Sequence, residues 1–337
     1  MTDRELSRPP DVGSRGVPLV ARREQLSRLA PLAVLVVLFV IGSIVVNGFT
    51  SSANVSSILV LGTFLGVAAA GQTLVVIVGG IDLSIAATIG FGEVAMTVLY
   101  GQGYAVWEVL LLLAGCAVVI GVVNGGLVSM FRVPPLIVSL GVGFMVEGAV
   151  LIWTSGGLAQ GKTPSEFARM ASVASTIGPI PIPPVVLIWL GLGAVVLVIQ
   201  RFTTFGRQLY ALGSNPEAAH FALVPRNQVW IAAYVTSAAA GLLAGVLLSG
   251  FAGGADFAVG TPYLFNSIAA VVVGGTLLLG GSGGYGRTVI GSLVVIEIGT
   301  ILVGLGFDSA LQETMLGVFI ILVVGIAGRG PRLRTQI

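Results

Sequence analysis

Apolar residues in this chain arrive in long unbroken runs, with polar residues confined to the gaps between them. A helix needs about 20 mostly apolar residues to cross the roughly 30 Å of hydrocarbon in a bilayer. Ten runs reach or approach that length: Pro31–Val46, Val55–Val78, Leu83–Tyr100, Trp107–Met130, Leu136–Trp153, Val185–Ile199, Val229–Gly250, Leu264–Leu279, Val289–Gly304 and Ala310–Ala327. The first, sixth and eighth are short. Only helices or closed barrels satisfy every backbone group in lipid. Barrel strands alternate apolar and polar positions, and these runs do not. The pattern predicts an all-α, polytopic membrane helix bundle of about ten transmembrane helices.

The gaps set its orientation. Residues 1–30 are polar, carry six arginines and three prolines, and read as an unstructured tail. A secretory signal would instead place a short basic region directly before its apolar stretch. The membrane domain then covers residues 31–328, and residues 329–337 form a second tail. With both termini cytoplasmic, fourteen of the sixteen basic residues lie inside, and only Lys162 and Arg169 lie outside. That is the positive-inside bias of membrane proteins. Trp107 and Trp153 then fall at outer boundaries and Trp230 at an inner one, as members of an aromatic belt.

Two loops are long, an outer one at 154–184 and an inner one at 200–228. Thr163-Pro164-Ser165-Glu166 has the form of a capping box with proline at the first helical position, predicting a short surface helix over Pro164–Ala174. Ser214-Asn215-Pro216-Glu217 combines a cap, a proline and a first-turn acid, predicting another over Pro216–Leu223. Val75-Val76-Ile77-Val78-Gly79-Gly80 is echoed by Val271-Val272-Val273-Gly274-Gly275. Both would run from outside to inside, as in a parallel repeat.

Composition narrows the chemistry. Of 337 residues, 55% are hydrophobic and 9% charged, where soluble domains carry about a quarter charged. Forty-nine glycines suit membrane helices packed backbone against backbone. Cys116 is the single cysteine and His220 the single histidine. Catalysis or metal binding on His or Cys clusters is therefore excluded. Gly280-Gly281-Ser282-Gly283-Gly284-Tyr285-Gly286-Arg287 lacks the Gly-Lys-Ser/Thr of a phosphate loop. No cofactor is expected in this chain, and any ATP and magnesium belong to a partner.

Polar residues inside the runs are the candidate pathway: Gln72, Asp82, Glu93, Asn124, Glu147, Asn266 and Glu297. Charges at such positions are expensive and mark function by default, although Asp82 also suits a helix cap and the amides also suit helix association. No basic residue lies in an apolar run, so a neutral solute is the simpler reading, with helix N-termini still able to hold a carboxylate. Lys162, Glu166 and Arg169 are candidate contacts for an external protein.

Four stretches carry a family resemblance. Gly79-Gly80-Ile81-Asp82-Leu83-Ser84 after an apolar run resembles the signature of the ribose, xylose and galactose permeases of ABC importers. Val133-Pro134-Pro135-Leu136-Ile137-Val138-Ser139-Leu140-Gly141, the stretch Phe205–Ala219, and Ile268–Thr276 followed by Gly280-Gly281 resemble that family's later segments, in order. The resemblance implies a non-enzymatic membrane subunit that dimerises with itself or a sister permease. It implies two cytoplasmic ATPases, an external solute-binding protein, no nucleic-acid partner, and a place in the bacterial inner membrane. It also implies that the inner short helix couples to the ATPase, through Gly213, Asn215, Pro216, Glu217, Ala218 and Ala219. Where the family has glycine near position 223 this chain has leucine. Leucine disfavours a left-handed turn, so the exit from that helix is expected to differ. Three alternatives remain: an ion-coupled transporter using Asp82, Glu93 and Glu297, a branched-chain amino acid permease, and a non-transporting scaffold or channel.

Overall fold

A computed structural model describes residues 17–156, 161–178, 180 and 182–327. The tail expected at 329–337 lies outside them, as does the first half of the tail expected at 1–30.

The described residues form thirteen α-helices and no strand. They are α1 (Val17–Val45), α2 (Ser52–Ile77), α3 (Ile85–Gly101), α4 (Val106–Met130), α5 (Pro135–Trp153), α6 (Ser165–Ala171), α7 (Val185–Phe202), α8 (Thr204–Ser214), α9 (Pro216–Phe221), α10 (Arg226–Ala252), α11 (Thr261–Val273), α12 (Tyr285–Gly304) and α13 (Ser309–Ala327). A 3-10 turn, Phe257–Gly260, leads into α11. Each of the ten expected runs falls on a helix, and α2, α4, α5, α7, α10 and α12 are long and apolar enough to cross a membrane. The chain is a multi-pass, all-α membrane protein.

Local chemistry explains the boundaries. Ser51 caps α2, accepting the Asn54 N–H at 3.3 Å. Pro135 begins α5, where a missing N–H costs nothing. Gly253 ends α10 in the left-handed region, φ 69°. Four elements depart from expectation. Helix α1 begins at Val17, inside the stretch read as unstructured tail. Helix α11 stops at Val273, short of the expected Leu279, because Gly274 and Gly275 close it. The inner loop holds an unexpected helix, α8. Finally, α6 has no capping box: the Thr163 hydroxyl donates to the Ser249 carbonyl at 3.1 Å, tying the outer loop to α10.

The core is organised around α2 and α10. Of the apolar stretch of α2, 94% is buried in the protein, against 28% for α4. Helix α4 therefore shows lipid a flank that includes Leu111, Val119 and Val122. Glycines bring the central helices into backbone contact. A Cβ on Gly125 of α4 would lie 2.5 Å from the Ile231 Cα of α10, and Gly71 of α2 and Gly92 of α3 seat against the α10 backbone in the same way. Trp230 sits inside this packing, 7% exposed and stacked on Tyr234 at 6.1 Å, so it is a core residue and not a member of an aromatic belt.

Candidate transport site and cytoplasmic helix

Helix α2 ends in a Schellman closure. The Gly80 N–H donates to the Val75 carbonyl at 2.8 Å, the Gly79 N–H to Val76 at 3.0 Å, and Gly79 takes φ 96°. The chain then crosses to α3 as Gly79–Ser84, with Asp82 and Ser84 fully enclosed. Non-helical backbone in a membrane domain needs partners, and here side chains from three other helices supply them. Ser139 of α5 accepts the Leu83 N–H at 3.0 Å, and its own proton lies between the Pro135 carbonyl at 2.9 Å and the Ile81 carbonyl at 3.2 Å. Tyr234 of α10 donates to the Ile81 carbonyl at 3.3 Å. Asp82 accepts the Ser84 N–H at 2.9 Å and its hydroxyl at 2.5 Å, and Asn124 of α4 donates to that hydroxyl at 3.1 Å. Ser237 lies beside the carboxyl without a formed hydrogen bond.

Helix α11 closes identically. The Thr276 N–H donates to the Val271 carbonyl at 3.1 Å, Gly275 to Val272 at 2.8 Å, and Gly275 takes φ 79°. The glycine-rich link that follows ends where the Tyr285 N–H meets Gln200 Oε1 at 3.0 Å. Tyr285 also accepts from Trp189 and donates to the Gly66 carbonyl, both at 2.8 Å. Within the link, the Gly281 N–H donates to the Ile77 carbonyl of α2 at 2.8 Å.

Helix α8 runs against the end of α2 and the link that follows α11, and passes directly into α9. Asn215 caps α9, its side-chain oxygen accepting the Glu217 and Ala218 N–H groups at 3.1 and 3.0 Å, with Pro216 in the first turn. The exit is a third Schellman closure: Val224 N–H to Ala219 at 3.0 Å and Leu223 N–H to His220 at 3.0 Å. Leu223 itself adopts φ 57°. The left-handed turn that a leucine was expected to prevent is therefore retained, at a cost of about 1 kcal/mol.

A family profile described as branched-chain amino acid transport system / permease component matches residues 54–324. The chain belongs to this family. The autoinducer 2 import system permease proteins LsrD of Escherichia coli (strain K12) and of Shigella flexneri are each 29% identical over 283 residues, covering 81% of this chain and 82% of theirs. No solved structure matches the chain. This protein is thus a permease subunit of an ABC importer, a family in which the ATPase is a separate chain.

The permease brings together two of its expected pathway residues, Asp82 and Asn124, through Ser84. The others lie apart. Gln72 is enclosed in α2 and Glu93 in α3, each with both terminal atoms unpartnered. Glu297 of α12 is 3% exposed, and Glu147 and Asn266 are half-buried. Lys162, Glu166 and Arg169 are exposed together on the loop around α6. On α9, Glu217 and Ala218 are exposed, but Ala219 is 3% exposed and packs into the permease's own core, so it does not face a partner. Phe221 and Leu223, not among the surface residues singled out in the sequence, are 85% and 89% exposed. Ser139 and Tyr234 were also missed as partners of the Gly79–Ser84 link. A hydroxyl at the start of an apolar run and a tyrosine within one carry no local sign of what they bind.

Proposed function

We propose that this permease moves a neutral, sugar-like solute inward across the bacterial inner membrane, paired with a second copy or a sister permease. A cytoplasmic ATPase docks on α9 and holds the ATP and magnesium, and an external binding protein delivers solute at the face carrying Lys162, Glu166 and Arg169. ATPase closure opens the pathway outward, and hydrolysis resets it. The observation that carries this reading is α9 itself. It is a short helix capped at both ends, with Glu217, Ala218, Phe221 and Leu223 exposed. Rigid capped elements transmit force without first being ordered, and a leucine held in a strained turn while 89% exposed is typical of a contact under functional constraint.

The relatives' autoinducer 2 import supports a solute of sugar-like chemistry over a branched-chain amino acid. Consistent with it, Arg201, Arg226 and Arg287 sit in the terminal turns of α7, α10 and α12, and those three helices carry no basic residue deeper in. Asp82, Asn124, Gln72, Glu93, Glu147, Asn266 and Glu297 supply the polar groups of the pathway in this reading. Affinity purification of the detergent-solubilised permease tests it. The ATPase is expected to co-purify with wild type and to be lost with Phe221→Ser, Leu223→Ser double substitution in a monodisperse protein. Transport by the permease alone in liposomes on an ion gradient would reverse the assignment.

A further inference from the structure

Three distant stretches of backbone meet where α2 ends. Gly213, one residue from the end of α8, lies so close to the Ile77 carbonyl that no Cβ could fit there, and its Cβ would also be 2.7 Å from the Gly281 nitrogen. A Cβ on Gly281 would lie 2.6 Å from the Ser214 Cα, and one on Gly280 would lie 3.0 Å from the Gly79 Cα. The Gly281 N–H closes the set on the Ile77 oxygen.

Resting on the reading of α9 as the ATPase-contacting helix, we propose that Gly213, Gly280 and Gly281 form, with Ile77 and Gly79, the joint that passes its movement into the membrane domain. The argument is mechanical. No side chain separates the three backbones, so a displacement of α8–α9 cannot be absorbed by rotamer changes. Close-packed elements of this kind shift as rigid bodies or not at all. Ser214 and then the Asn215 cap of α9 follow Gly213 directly. On the other side, Ile77 and Gly79 lead within a few residues to Asp82, and Gly281 belongs to the link between α11 and α12. One push on α9 therefore reaches both helix breaks together. The Gly281–Ile77 hydrogen bond gives the joint directionality, because it occupies a helix-terminal carbonyl that would otherwise need another donor. These glycines are positioning residues and contact no solute.

The test uses the full complex of permease, ATPase and binding protein in proteoliposomes. Gly213→Ala and Gly281→Ala are compared with Gly141→Ala and Gly103→Ala. Gly141 is helical and Gly103 has φ 99°, and neither has a neighbour within 4 Å of its Cβ position. The controls thus reproduce helix propensity and backbone strain without the joint. Solute moved per ATP hydrolysed is expected to fall about tenfold in both joint variants, and in Gly281→Ala the ATPase stays bound with basal hydrolysis within about twofold. Unchanged stoichiometry in Gly213→Ala, with a folded complex, overturns the joint. If the joint variants do not fold, hydrogen exchange on the wild-type complex decides. Segments 210–217 and 274–284 should change protection together when ATP is trapped, and a change in one without the other overturns the proposal. Failure of wild type to bind any ATPase sinks the coupling reading itself, and the joint with it.

Discussion

Helices α2 and α11 end in the same hydrogen-bonded closure, yet the links that follow them are built differently. After α2 the chain crosses to α3 through Gly79–Ser84, where Ser139, Tyr234 and Asn124 reach in from three other helices to hold backbone and side chain. After α11 it passes through ten residues and more of mostly small side chains before α12, with Leu279 90% exposed. That second link is held at its ends by Thr276, Gln200 and Tyr210 and in its middle by the Gly281–Ile77 bond. An identical cap stops a helix equally well in both places. What differs is how the residues beyond it are held: side chains of three helices reach into the enclosed first link, while the longer second link is bonded mostly through its own backbone groups to α2, α7 and α8. The first link is an enclosed hub, with Gly80, Asp82 and Ser84 buried, and the second is longer and more exposed.

Substitutions can separate the two. The largest effect is expected at the hub. Ser139→Ala strips the Leu83 N–H of its acceptor in a site away from water, costing about 1–3 kcal/mol in reversible SDS unfolding of the solubilised protein. A loss no greater than that of an exposed serine would mean the hub is not held as described. Next come the caps. Gly79→Ala and Gly275→Ala should each cost about 1 kcal/mol, and equally, since both positions have positive φ and room for a methyl group. Unequal losses would break the equivalence of the two closures. The smallest effect belongs to the second link: Thr276→Ala removes only a long 3.3 Å acceptor from Gly284, worth less than about 1 kcal/mol. A larger loss there would make the second link as rigid as the first.

Much of this was legible in residues alone. The echo between Val75–Gly80 and Val271–Gly275, read as a parallel repeat, falls at two helix ends that share a hydrogen-bonding pattern. Asn215-Pro216 announced α9 to the residue at its start, because a capping side chain acts on the next turn of its own chain. Errors gathered where the answer depended on a distant partner. Thr163 reads as a cap but is drawn to Ser249 of α10. Ala219 reads as a surface contact but turns inward, and Trp230 reads as a belt residue but fills the space beside Gly80. Leu223 reads as incompatible with a left-handed turn, yet the closure around it supplies two backbone hydrogen bonds that outweigh the strain.

The chain's own order of residues determined that it lives in a membrane, where its apolar helices lie, and which family it belongs to. Hydrophobic length, glycine at positive φ and capping side chains act over a few residues, so they can be read along the chain. Which apolar face meets lipid and which meets protein was decided only by the fold, since lipid and protein core ask for the same side chains. The meeting of Gly213, Gly281 and Ile77 was decided there too: glycine permits close approach, but only packing chooses which backbones approach.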